Sequence, residues 1–101
     1  MTDHKNEFHV SMLNIYYKAK QYCNYNPTRF HQMVQEHGGV ETAKRLLATP
    51  DVQVGLTTLW ECGRLDLSME ALVIDPRFEE LFSAEEREIA RERLVAYGWE
   101  E

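Results

Sequence analysis

Long apolar runs are missing from this chain of 101 residues. None approaches the roughly 20 residues that cross a bilayer, and the opening MTDHKNEF has no basic stretch followed by an apolar block, so neither a membrane span nor a secretory leader is expected. Cysteine is nearly absent. Cys23 and Cys62 are the only two, and without a secretion signal they are expected to stay separate reduced thiols in a cytoplasmic protein. Metal spacing is missing as well: His4, His9, His31 and His37 form no H-x-x-x-H pair and none stands close to a cysteine, so no metal and no cofactor is expected. No serine lies in a nucleophile-elbow sequence, and neither cysteine has a base near it in the chain, which removes the local signatures of covalent catalysis. Sustained two-residue alternation is absent too, and with it any reason to expect strands.

What remains is rich in helix grammar. Hydrophobic residues make up 44% of the chain and aromatic residues 11%, enough for one core in a single domain spanning 1–101, with residues 1–6 polar enough to fray. From about Asp3 to Cys23, Phe8, Met12, Ile15, Ala19 and Tyr22 form one helical stripe, and Val10, Leu13 and Tyr17 a second, so this helix is expected to be contacted on two sides. Asn26 is placed as the cap of a second helix with Pro27 at its first position, and Phe30, Met33, Val34 and His37 on its inner face. Thr49 and Pro50 repeat that pattern for a fourth helix carrying Val52, Leu56, Leu59 and Trp60, closed by Gly63. Gly55 inside it suggests a close helix crossing. Ser68 caps a short helix with Met69, Leu72 and Val73, Asp75-Pro76 restarts the chain toward Phe78, and Ser83 with Glu86 is a capping box for a last helix ending at Gly98. The expected fold is all-α, a compact orthogonal bundle of about six short helices.

The pair Gly38-Gly39 ahead of Lys44-Arg45 poses a choice between a phosphate cradle and a corner between helices. A phosphate loop needs several backbone N–H groups and a lysine converging at the helix start. Lys44 lies more than a turn inside the third helix, so the corner is preferred.

Charge is divided along the chain. Residues 1–64 hold seven Lys or Arg against six Asp or Glu, whereas residues 65–101 hold four against eleven. An acidic C-terminal third repels phosphate backbones and attracts basic surfaces, which disfavours nucleic acid as a partner. Asp66, Glu70 and Asp75 are the best carboxylate group for acid–base work. Acids near helix starts are also what the positive end of a helix attracts, and the structural reading is preferred. Tyr16, Tyr17, Tyr22 and Tyr25 suit half-buried contacts with an apolar body and a polar tip. In LWECGRLDL, Arg64 follows the terminating Gly63 and can reach Asp66 or Glu70 as a charged clasp, or mark the rim of a partner surface with Trp60 and Arg45.

The stretches GGVETAKRLL and GLTTLWECGRLDLSMEALV, with Arg29-Phe30, resemble a small bacterial domain of no established activity over about Asn26 to Gly98. The resemblance implies an all-helical fold in a bacterial or phage setting and brings no catalytic residue. With no catalytic spacing, the expected function is a non-enzymatic protein-interaction or regulatory module, with Arg45, Trp60, Arg64, Tyr16 and Tyr17 as partner-binding candidates. The alternatives are a helix-turn-helix-like nucleic-acid accessory domain, or an acidic inhibitor that mimics DNA.

Overall fold

A 20-residue helix, α1 (His4–Cys23), forms the axis around which the rest of the chain is wrapped. In the computed structural model, which describes residues 4–49 and 54–99, it is followed by α2 (Thr28–His37), α3 (Gly39–Ala48), α4 (Val54–Glu61), a 3₁₀ turn at Leu65–Leu67, α5 (Met69–Val73), a second 3₁₀ turn at Pro76–Leu81 and α6 (Ala84–Ala96). The fold is an all-α bundle, and its radius of gyration of 12.5 Å is that of a close-packed chain of this length. None of the described helices is long and apolar enough to cross a membrane.

α1 packs on α2, α3, α5 and the second 3₁₀ turn, and α6 closes over α5 and α3. The stripe Phe8, Met12, Ile15 and Ala19 is buried. Phe8 lies at its centre, with the edges of Phe78 and Phe82 about it at centroid distances of 5.1 and 5.0 Å. Val34, Ala43, Leu47, Met69, Val73 and Ala90 complete this cluster. A smaller one, Ala19, Leu59 and Leu67, joins the C-terminal end of α1 to α4.

The second stripe of α1 packs only in part, through Leu13, which lies against the main core. Leu13 is half-buried, but Val10 and Tyr17 are exposed, as is Tyr22 at the end of the first stripe. His4 to Asn6, expected to fray, are the first turn of α1.

Most helix ends are set by the residues that the pattern singles out. Gly38, at φ +86°, ends α2 and donates its N–H to the Val34 carbonyl, while Gly63 and Gly98 also take positive φ beyond α4 and α6. Ser68 accepts from the Ala71 N–H, Asp75 accepts from the Arg77 N–H, and the Ser83–Glu86 capping box is present in both directions. Two expected caps differ. Pro27, not Asn26, is the residue before α2, and no side chain caps that end. Thr49 closes α3, its hydroxyl donating to the Arg45 carbonyl at 2.9 Å. The expected helix start at Pro50 and the placing of Val52 lie outside the described residues.

Cys23 and Cys62 are joined in a disulfide, with Cα atoms 5.6 Å apart. This overturns the expectation of separate thiols. The packing of Ala19 against Leu59 and Leu67 lays the end of α1 alongside the end of α4, a proximity that no local spacing encodes.

Candidate functional site: an aromatic surface and an apolar cleft

The Gly38-Gly39 corner is occupied by its own structure. The Gly39 N–H donates to His9 Nδ1 at 3.0 Å, and Lys44 Nζ donates to Glu86 Oε1 at 2.7 Å, away from the helix start. A Cβ on Gly39 would stand 2.7 Å from the His9 Cα. Glycine is needed here because α1 and α3 cross at backbone contact.

The three carboxylates that form the best acid–base group in the sequence are each engaged by a different arginine, in keeping with the structural reading. Asp66 takes two bonds from Arg64, Nε to Oδ1 at 3.0 Å and Nη2 to Oδ2 at 3.1 Å. These bonds hold the Asp66 carboxyl below its ordinary range. Asp75 pairs with Arg77 at 3.1 Å. Glu70 is buried, and burial pushes its carboxyl above the ordinary range, opposed only in part by Arg93 Nη1 at 3.4 Å. Arg93 spends its other bonds on carbonyls at the end of α3, donating to Leu46 (3.2 Å), Leu47 (3.3 Å) and Thr49 (2.8 Å). The clasp between Arg64 and Asp66 therefore exists, but it is a surface clasp, and the buried one is Glu70–Arg93.

The five partner-binding candidates fall into four places. Tyr16 stacks on His31 with centroids 4.3 Å apart, and Tyr17 stands edge-on to both rings. Trp60 leaves the core face expected for it, is 49% exposed, and leans on Tyr97 at 5.6 Å. The Tyr97 hydroxyl bonds Thr57, so α6 braces the outer side of α4. Arg64 lies over the ring of Tyr22 at 4.8 Å. Arg45 is tied to Glu41 within α3 at 3.1 Å. Arg64 and Tyr22 thus meet beside the Cys23–Cys62 bridge, Trp60 stands on the last turn of α4 against α6, and Arg45, Tyr16 and Tyr17 belong to other parts of the surface. Compared with family models, with curated proteins and with solved structures, the chain finds no match, so its function is argued from its own residues.

A second feature was not legible in the sequence. Between α1, α2, α4 and the start of α5 runs a cleft of about 470 Å³, walled by apolar side chains such as Ile15, Phe30, Met33, Leu56 and Met69, with Tyr25 and Arg29 at its edge. The tyrosine cluster is divided by it. Tyr25 turns its hydroxyl toward Gly55, where an added Cβ would lie 3.2 Å from that oxygen. The close approach expected at Gly55 is thus made by a side chain and not by a helix backbone. Among the described residues, no group of three His, Cys, Asp or Glu side chains is placed to hold a metal ion.

Proposed function

We propose that this chain is a non-enzymatic protein-interaction module of bacterial or phage origin, and that it meets its partner with the C-terminal end of α4. The observation that carries this reading is the exposure of Tyr22 (53%) and Trp60 (49%) at the end of the molecule that the Cys23–Cys62 bridge ties together, with Arg64 lying over the Tyr22 ring; Val10, Tyr17 and Val95 are exposed as well but bring no such cation with them. Tyr, Trp and Arg are the residue types that anchor interfaces. Each of the three is already braced: Trp60 by Tyr97, Arg64 by Asp66, and Tyr22 by the disulfide next to it. Little side-chain entropy is then lost on docking. The acidic C-terminal third favours a partner whose facing surface is basic.

The nucleic-acid alternative is weakened by pairing. Of the five cations it would set on phosphates, Lys44, Arg45 and Arg64 are bonded to Glu86, Glu41 and Asp66, and only Lys18 and Lys20, both exposed on α1, stand outside such pairs among the described residues. The DNA-mimic reading is one form of the proposal, in which the partner is a basic nucleic-acid-binding protein. A cytoplasmic location goes with a reduced Cys23 and Cys62 and an oxidising compartment with the bridged pair. Counting free thiols in protein taken from its native cell decides between them.

Affinity capture from the native host tests the proposal, with Trp60→Ala, Tyr22→Ala and Arg64→Ala as comparisons. A protein held by the wild-type chain and lost with variants of unchanged melting supports it. No recovered protein, together with turnover of a nucleotide or ester by the purified chain, sinks it.

A further inference from the structure

The cleft beside Tyr25 and Arg29 makes a separate case from the α4 surface. Its volume, about 470 Å³, lies within the range of roughly 300–1,000 Å³ in which small-molecule sites fall. The polar groups in its wall are nearly all engaged. Ser68 Oγ accepts from the Ala71 N–H, the Thr49 hydroxyl donates to the Arg45 carbonyl, and the Glu70 carboxyl faces Arg93. Among the described residues, the Arg29 guanidinium and the Tyr25 hydroxyl have no side-chain hydrogen-bond or ion-pair partner. Both are donors, and among the described residues of the wall Arg29 carries the one charge that no neighbour compensates. Beyond them the wall is apolar, with Phe30, Met33, Leu56 and Met69 along it. An apolar body with an anionic head is what complements this arrangement, because it would bury hydrocarbon and give each free donor an acceptor.

We propose that this cleft binds a small amphiphilic carboxylate, its chain among Phe30, Met33, Leu56 and Met69 and its head at Arg29 and Tyr25. The orientation follows from charge. A carboxylate placed against Glu70 would meet a buried acid, whereas at Arg29 it meets a cation open to solvent. The site is independent of the α4 surface, whose Tyr22, Trp60 and Arg64 take no part in it.

The test is titration of the full-length chain with decanoate below its micellar concentration, against 1-decanol and decylamine as probes of equal length, followed by calorimetry and by amide chemical shifts. The expected result is saturable one-to-one binding of decanoate, with shifts at Phe30, Leu56 and Met69, and about tenfold weaker binding of decanol and decylamine, the factor set by one charge-assisted hydrogen bond. Arg29→Gln, at an exposed position, should lower decanoate affinity about tenfold and leave decanol unchanged. Met33→Trp should obstruct the cleft to all three probes. If that variant does not fold, the shift map locates the ligand without it. Any of four results overturns the proposal: no saturable binding, shifts centred elsewhere, decylamine or decanol binding as tightly as decanoate, or an Arg29→Gln variant that binds decanoate like the wild type.

Discussion

Replacing Arg93 by Met should do more damage than any other single change of a charged residue in this fold. Arg93 ties three segments: it stands on α6, donates to three carbonyls at the end of α3, and faces Glu70 at the start of α5. The variant keeps most of the side-chain volume but leaves those carbonyls without their donor and leaves a buried carboxylate without a counter-charge. Removing one partner from a buried ion pair costs about 3–5 kcal/mol. For a chain of this size that corresponds to a fall in melting temperature of roughly 15–25 °C. The pH dependence gives the sharper test. The folded state raises the Glu70 carboxyl above its unfolded value, so it binds a proton more tightly than the unfolded chain does. Its contribution is therefore favourable below the unfolded value and is lost as pH rises through the folded one. Without Arg93 the raised value climbs further, and the cost of the substitution should be large near neutral pH and shrink on acidification. Other carboxylates also titrate in that range, but they do so in both proteins and cancel in the difference. Denaturant unfolding of both proteins at several pH values, repeated in a Glu70→Gln background, measures the coupling. In that background the cost of Arg93→Met should be clearly smaller. An equal cost at every pH and in both backgrounds would refute the buried-pair argument.

Reducing the Cys23–Cys62 bridge, which spans a sequence separation of 39, should cost about 4 kcal/mol by the chain-entropy relation. Denaturant midpoints with and without reductant check it, and two titratable thiols in unfolded, never-reduced protein would contradict the bridge. Gly39→Ala should destabilise by about 1–3 kcal/mol through overpacking against the His9 backbone, and by more than Gly38→Ala, where the backbone is left-handed but the space is open. Arg64→Ala should barely change melting, because its pair with Asp66 is exposed, while an NMR titration should find the Asp66 carboxyl moved up toward its ordinary value. A large loss of stability would mean that the clasp carries structural weight after all.

Local grammar was readable because its causes are local. The Ser83–Glu86 box, the Ser68 cap and the positive-φ glycines act over a few residues, and the stripe of Phe8, Met12, Ile15 and Ala19 is fixed by the pitch of one helix. Errors arose where tertiary packing chose between faces that the pattern leaves equivalent. Val10 and Tyr17 have the right spacing for burial, but Val10 stays exposed and Tyr17 meets α2 only edge-on at His31. Trp60 sits next to the buried Leu59 on α4, and it leans outward on Tyr97 at the end of α6. The partner of Glu70 is hidden for a related reason: of the two carboxylates near Arg64 in sequence Asp66 takes it, and the partner left to Glu70, Arg93, is 23 residues away.

The long-range ties all cross between segments whose sequences look self-sufficient. Glu86 shows how. As the third residue of α6 it belongs to the capping box and accepts from the Ser83 N–H at 2.8 Å, which would be a complete account of a glutamate there. Yet the same Oε1 also takes Lys44 from α3. Partial burial pushes this carboxyl up, and the bonds from Lys44 and Ser83 outweigh it and hold the group below its ordinary range. A residue already explained locally gives no sign that it has a second partner, and the Arg93 bridge to α3 is of the same kind. Together Lys44–Glu86 and Arg93 fasten α6 to α3 at two points. Unmet donors such as those of Arg29 and Tyr25 acquire meaning only by contrast with residues so fully engaged, and that contrast requires the structure.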